Sequence, residues 1–310
     1  MFEETKRLES PTGASLAYHR ASPAAPARAV LLVLHGLAEH SRRYARFANA
    51  MAARGFAVYA HDHRGHGETR APDAPPGRFA RREGVAAVLG DVAAMRRLAA
   101  AEHPGLPVLL LGHSMGGLIS LNAAMAEPKG YDGVAVWNSN FDPGLAGRLA
   151  QLVLRGERML KGSDVPSGIL PKATFGAWGR AIAGRRTEFD WLSHDTAEVD
   201  RYIADPLCGF PASVSLWIDL FDMTFRPRQA ARLAGLARTL PIHLVGGGQD
   251  PATNGGRAIV WLAKYLKQAG FSNISDQIYQ DMRHETLNEI GAEAAIAAFA
   301  DWCDGVTARR

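Results

Sequence analysis

The segment Gly112-His-Ser-Met-Gly116 sets a serine between two glycines in the pattern G-x-S-x-G. A serine hydroxyl is a weak nucleophile until a neighbouring base removes its proton. That base must in turn be held by a third group. In proteins that carry this serine on a strand-to-helix elbow, the partners follow in the order serine, acid, histidine. Two later segments meet that order. Gly246-Gly-Gly-Gln-Asp250-Pro251 puts an aspartate on a glycine loop just past an expected strand, and Asp281-Met-Arg-His284 puts a histidine four residues past the next. Ser114, Asp250 and His284 are therefore the candidate nucleophile, orienting acid and base. Asp250 is preferred over five other acids. Asp219 and Asp222 fall on helical positions and are expected to face solvent, while Asp276 and Asp281 flank the last strand. Glu285, beside His284, is expected to point elsewhere.

Acyl transfer also needs N–H donors for a developing oxyanion. The residue after the nucleophile, Met115, supplies one. The loop His35-Gly36-Leu37 supplies the other through Leu37, although the same loop also reads as a plain strand-ending turn. His113 reads as a packing or hydrogen-bonding residue. His61, His63 and His66 crowd one turn, but no acids or cysteines complete a metal set there, and no metal or organic cofactor is expected.

These residues need a frame that brings distant parts of the chain to one rim. Ala29–His35, Phe56–His61, Pro107–Gly112, Gly133–Trp137 and Pro241–Val245 are short and mostly apolar, as strands buried on both faces are, and Ile274–Gln280 reads as a further strand. Between them lie helical patterns: Tyr44–Arg54, the run from Val85 to Leu98, Leu118–Glu127, Ala258–Gln268 and Ala292–Asp301. Such alternation predicts an α/β protein with a mostly parallel sheet and helices on both faces. Lys6–Glu9 and Ser15–His19 add an edge hairpin around Thr12-Gly13. The rhythm breaks after Asn138. Residues 141–238 show helical spacings and no strand, so 1–140 and 239–310 are read as a core interrupted by a helical insertion.

Composition narrows the class further. The 310 residues are 47% hydrophobic and 21% charged, which is ordinary for a globular chain. Two cysteines, Cys208 and Cys303, cannot form a disulfide framework. The net charge of +4 comes from arginine pairs scattered along the chain. It excludes a nucleic-acid groove but leaves a weak attraction to anionic lipid surfaces. The N-terminal residues carry charges without a following apolar run, and no long uncharged apolar stretch follows, so a soluble, cytoplasmic protein is expected.

Four ordered motifs carry a resemblance: His35-Gly-Leu-Ala-Glu-His-Ser-Arg-Arg-Tyr44, His61-Asp-His-Arg-Gly-His-Gly67, Gly112-His-Ser-Met-Gly-Gly117 and His284-Glu-Thr-Leu-Asn-Glu289. With Val199-Asp-Arg-Tyr-Ile-Ala-Asp-Pro-Leu-Cys-Gly209, they resemble the monoacylglycerol lipase and bacterial lysophospholipase group of α/β-hydrolases. The resemblance implies the α/β-hydrolase fold, a Ser114–Asp250–His284 triad, Leu37 and Met115 as oxyanion donors, and a helical cap over an acyl pocket. It implies a serine ester hydrolase for small-molecule or lipid monoesters that works through an acyl-enzyme. Leu149, Leu152, Phe175, Trp178, Trp217 and Phe221 are the cap residues expected to line the acyl channel. A thioesterase, acyltransferase or peptidase would use the same triad, and a non-catalytic binding protein on this scaffold is the remaining alternative.

Overall fold

The computed structural model describes Phe2 and residues 4–308. Its centre is an eight-stranded sheet: β1 (Lys6–Glu9), β2 (Ser15–Ala21), β3 (Ala29–Leu34), β4 (Phe56–His61), β5 (Val108–His113), β6 (Gly133–Trp137), β7 (Ile242–Gly247) and β8 (Ile274–Tyr279). The order across the sheet is β1-β2-β4-β3-β5-β6-β7-β8. The β1–β2 hairpin is antiparallel and joins β4 antiparallel at one edge, and every pairing from β4 to β8 is parallel.

Parallel pairing requires crossovers, and helices supply them. They are α1 (Ala45–Ala53), α2 (Gly84–Glu102), α3 (Met115–Ala126) and α10 (Arg257–Gln268), while α11 (Ala292–Thr307) follows β8 and packs on the face that holds α1. Strand side chains alternate between two buried layers. Val30, Leu32 and Leu34 of β3 face a layer shared with α2, α3 and α10. Ala29, Leu31 and Val33 face the other, with Phe47 and Met51 of α1 and Phe299 and Cys303 of α11. Burial on both faces is why the central strands read as unbroken apolar runs rather than as alternating ones.

Boundaries shift from the sequence reading in places with physical reasons. The helix expected at Tyr44 is preceded by a 3-10 turn, Ser41–Tyr44. The helix expected from Leu118 starts at Met115, because the elbow passes from strand to helix with no linker. The closing helix runs on to Thr307, its apolar face continued by Cys303.

Between β6 and β7 the chain forms α4 (Gly144–Lys161), α5 (Leu170–Ala173), α6 (Phe175–Ala181), α7 (Thr196–Ala204), α8 (Val214–Phe225) and α9 (Ala230–Leu233). No named strand lies in this insertion among the described residues. α8 joins it to the core, burying Val214, Leu216, Trp217, Leu220 and Met223 in the layer that holds α2 and α3.

Candidate active site

The elbow at Ser114 is a local strain held by its neighbours. Ser114 has φ +54° and ψ −116°, a region that L residues rarely adopt. Its N–H donates to the Trp137 carbonyl at 2.8 Å, and the Ser139 hydroxyl donates to its carbonyl at 2.7 Å. The turn needs glycine at two flanking positions. A Cβ on Gly112 would lie 2.0 Å from the Gly116 carbonyl oxygen, and one on Gly116 would lie 2.0 Å from that of Leu34. The outcome is a hydroxyl at the carboxyl end of β5, at the start of α3.

The loops after β7 and β8 bring the other two groups to that hydroxyl. His284 Nε2 lies 2.9 Å from Ser114 Oγ, and His284 Nδ1 lies 3.0 Å from Asp250 Oδ2. This pairing assigns the Nδ1 proton to the aspartate side and leaves Nε2 to face the serine. Asp250 is fully buried. Burial alone would raise its pKa. The facing His284, with hydrogen bonds from His284, Asn138 and Thr253, overrides that and holds the carboxyl below its ordinary range. Asn138 Nδ2 donates to Asp250 Oδ2 at 3.1 Å, the Thr253 hydroxyl at 2.8 Å, and the Ala252 N–H to Oδ1 at 2.9 Å.

Leu37 lies beside Ser114 and Met115 in one cavity lining. Among the described residues, neither the Leu37 nor the Met115 N–H makes a hydrogen bond within the chain. The loop carrying Leu37 is braced from below. Glu39 accepts from the Gly36 N–H at 2.6 Å and from the Tyr44 hydroxyl at 2.9 Å. Arg43 bridges Glu39 and Glu285, each contact 2.6 Å and all three side chains buried. Burial opposes the charge on Glu39, but Arg43 and His113 hold its carboxyl well below the usual range. His113 reaches the His284 carbonyl at 3.0 Å through Nε2, a supporting contact to the base.

Two spaces meet at Ser114. One is a cavity of about 170 Å³ whose walls include Leu118, Phe175, Trp178, Trp217, Leu220 and Phe221. The other, of about 30 Å³, lies toward Glu39, His113, Tyr202 and Glu285. Trp191 closes over the base, its ring 4.9 Å from that of His284.

Of the predicted channel residues, Phe175, Trp178, Trp217 and Phe221 line the larger space. Leu149 and Leu152 do not, being 62% and 60% exposed on the outer face of α4. Helical spacing had grouped them with an apolar face, but α4 turns Gly147, Leu154 and Glu157 inward and that leucine stripe outward. Asp222 is exposed, whereas Asp219 departs from expectation. It is half-buried against Gly84 at the start of α2, where burial and then the neighbouring Asp222 push its carboxyl up to about 7. His35, His61, His63 and His66 form a buried ring cluster, each with its pKa lowered by burial.

The sequence reading missed Asn138, Thr253, Glu39 and Arg43. Asn138 carried a usable signal: it follows β6 directly, at the same rim as the other strand-end residues, and asparagine tolerates the left-handed φ of +49° found there. The Glu39–Arg43–Glu285 cluster joins residues more than two hundred positions apart, and nothing local announces it.

A parallel sheet wrapped by helices, with a serine on a strained elbow and an acid and a histidine on later strand ends, defines an α/β-hydrolase. The family described as serine aminopeptidase S33 matches residues 25–291, and the chain belongs to it. The chain is 29% identical to the human monoglyceride lipase over 255 residues, covering 80% of this chain and 74% of that protein. It is 26% identical to the monoacylglycerol lipase of Mycolicibacterium smegmatis, covering 94% and 93%. Among solved structures, a thermostable carboxyl esterase from Bacillus coagulans superposes with a TM-score of 0.88 at 23% identity over 98% of both chains. A monoglyceride lipase from Saccharomyces cerevisiae superposes with a TM-score of 0.75 at 16% identity over 98% of this chain and 94% of that one. No helix among the described residues is long and apolar enough to cross a membrane.

Proposed function

We propose that this protein is a serine carboxylic-ester hydrolase that cleaves monoacylglycerol-type esters through an acyl-enzyme on Ser114. The observation that carries the reading is the Ser114–His284–Asp250 relay, at 2.9 and 3.0 Å, on the floor of an apolar cavity. His284 Nε2 accepts the hydroxyl proton as Ser114 Oγ attacks the ester carbonyl. Asp250 holds the imidazole and stabilises its cationic form. The Leu37 and Met115 N–H groups receive the oxyanion. The tetrahedral intermediate collapses, His284 protonates the leaving alcohol, and a water activated by the same histidine then releases the acid.

The two spaces suit the two ends of such a substrate. The acyl chain lies along the aromatic and leucine walls of the larger cavity, where burial of each methylene contributes about 0.8 kcal/mol. The alcohol lies toward the smaller space. There the carboxylates of Glu39 and Glu285 are paired by the Arg43 guanidinium, and His113 stands beside Glu39. These polar groups suit the hydroxyls of a glycerol. The names of the human and mycobacterial relatives support the same choice.

Residues 141–238 act in this reading as a cap, distinct from a core of 1–140 and 239–310. The outer face of α4 carries Leu145, Leu149, Leu152, Met159 and Leu160, all exposed, between Arg148, Arg155 and Arg158. An apolar stripe edged by arginines suits contact with an anionic lipid surface, where such substrates reside.

The test is a substrate panel given to the purified chain: monoacylglycerols, lysophospholipids, acyl thioesters and aminoacyl anilides. Monoacylglycerols are expected to give the highest kcat/KM, and a fluorophosphonate probe is expected to label Ser114. Preferential cleavage of an anilide or a thioester would overturn the substrate assignment. Absence of labelling would overturn the enzyme.

A further inference from the structure

We infer that His40, Asp205 and Cys208 form a site for a divalent transition-metal ion, Zn2+ first, at the junction between the inserted helices and the loop that carries Leu37. The three potential ligand atoms lie within 4.8 Å of one another. His40 Nε2 is 2.8 Å from Asp205 Oδ2. His40 comes from the core, six residues past the buried end of β3, and is itself buried. Asp205 and Cys208 come from the turn that ends α7. That turn is closed by the Cys208 N–H on the Asp205 carbonyl at 3.0 Å, and the Leu207 N–H holds Asp205 Oδ1 at 2.8 Å. Both donors therefore project from one short, hydrogen-bonded turn toward the same histidine, and Asp205 Oδ2 is the oxygen turned to it.

The donor set selects the ion. One imidazole nitrogen, one carboxylate oxygen and one thiolate sulfur make a mixed set that suits zinc and is too soft for magnesium or calcium. Zinc–ligand bonds of about 2.0–2.3 Å at tetrahedral angles set ligands about 3.5 Å apart. The present spread closes to that by opening the His40–Asp205 contact and drawing in the sulfur, with water in the fourth position. Among the described residues, Cys208 is a free thiol and makes no side-chain hydrogen bond that an ion would have to displace.

The site sits at a mechanical junction. The Ala38 carbonyl accepts from the Gly209 N–H at 2.9 Å and from the Tyr202 hydroxyl at 3.1 Å. Ala38 holds a φ of +55° next to Leu37. The His40–Asp205 hydrogen bond is a third tie between the same two segments, and an ion held by His40, Asp205 and Cys208 replaces it with metal–ligand bonds that take in the sulfur as well, so it stabilises the closed junction. This inference does not depend on the ester reading, and its test does not use turnover.

The reduced, chelator-treated full chain is titrated with Co2+, a spectroscopic stand-in for Zn2+. One equivalent should produce a sulfur-to-cobalt charge-transfer band that Zn2+ abolishes. The band should be absent in Cys208→Ala, where the remaining thiol, Cys303, is buried in the core. Zn2+ affinity should fall roughly tenfold or more in both Cys208→Ala and Asp205→Asn, as loss of one of three ligands requires. Zn2+ should raise the melting temperature of the wild type and of Ser114→Ala but not of Cys208→Ala. A wild-type chain that gives no charge-transfer band, or a band that survives in Cys208→Ala, would overturn the site. Asp205→Asn guards against a folding defect in the cysteine variant, since Asp205 is partly exposed.

Discussion

The rim of the sheet and the inserted helices solve opposite problems. At the rim, Ser114, Asn138, Asp250 and His284 follow β5, β6, β7 and the β8 loop, and each is fixed by hydrogen bonds to the others or to backbone. In the insertion, Phe175, Trp178 and Trp191 touch ring to ring around the cavity, while α4 leaves its leucines in solvent. Polar order at the rim needs fixed geometry, because proton transfer tolerates little displacement. Apolar packing in the insertion tolerates substitution as long as volume is kept. Chemistry should therefore fail sharply when the rim is changed and drift gradually when the insertion is changed.

The largest effect should come from Ser114→Ala, which removes the nucleophile and should lower kcat by roughly 10⁴-fold or more. Asp250→Asn should cost about the same order, because the amide favours the wrong imidazole tautomer. Asn138→Ala removes one of the hydrogen bonds to Asp250 and should cost less, roughly tenfold, seen in kcat rather than KM. A fall of Asn138→Ala as deep as Asp250→Asn would place Asn138 in the reaction itself.

Arg43→Met breaks the comparison from within the rim, since Arg43 carries no step of the reaction. It leaves Glu39 and Glu285 buried without their cation, which should destabilise the fold by about 3–5 kcal/mol in chemical denaturation. The double change of Glu39 and Glu285 to glutamine in that background should recover part of the loss. No recovery would mean that the arginine acts by packing rather than by charge.

The same contrast explains what the sequence could and could not tell. The strands, the helices between them and the order Ser114, Asp250, His284 were legible because each rests on local chemistry: an apolar run, a glycine turn, a residue just past a strand. The insertion was legible only as helical. Its spacing reported that Leu149 and Leu152 share an apolar face with Leu145, but periodicity gives a face without saying what covers it. The stripe lies outward because α8, not α4, carries the apolar side that meets the core. Arg43 and Glu285 were illegible for a related reason, since a long-range ion pair has no local signature.

Leu149→Glu with Leu152→Glu sharpens the reading of that outer face. Binding to vesicles of phosphatidylglycerol should weaken severalfold, with little change in hydrolysis of a soluble short-chain ester. An equal loss on both substrates would return these leucines to the catalytic path, against their exposure.

The smallest effect lies where the two regions meet, at Asp219. Its ordinary pKa is 3.8, and in the fold burial and then Asp222 push it up to about 7. Below pH 3.8 both folded and unfolded chains carry the proton, so the group adds nothing to the difference between them. Between 3.8 and about 7 the unfolded chain releases the proton first, so stability falls as pH rises, and above about 7 the penalty stays constant. Asp219→Asn keeps the shape and removes the ionisation. It should melt higher than the wild type at about pH 8 and the same at about pH 4. The opposite sign is physically available, because the carboxylate lies against Gly84 at the start of α2, where a helix N-terminus favours negative charge. An Asp219→Asn chain that melts lower at about pH 8 would show that the helix dipole outweighs burial at this junction, and that ionised Asp219 ties α8 to α2.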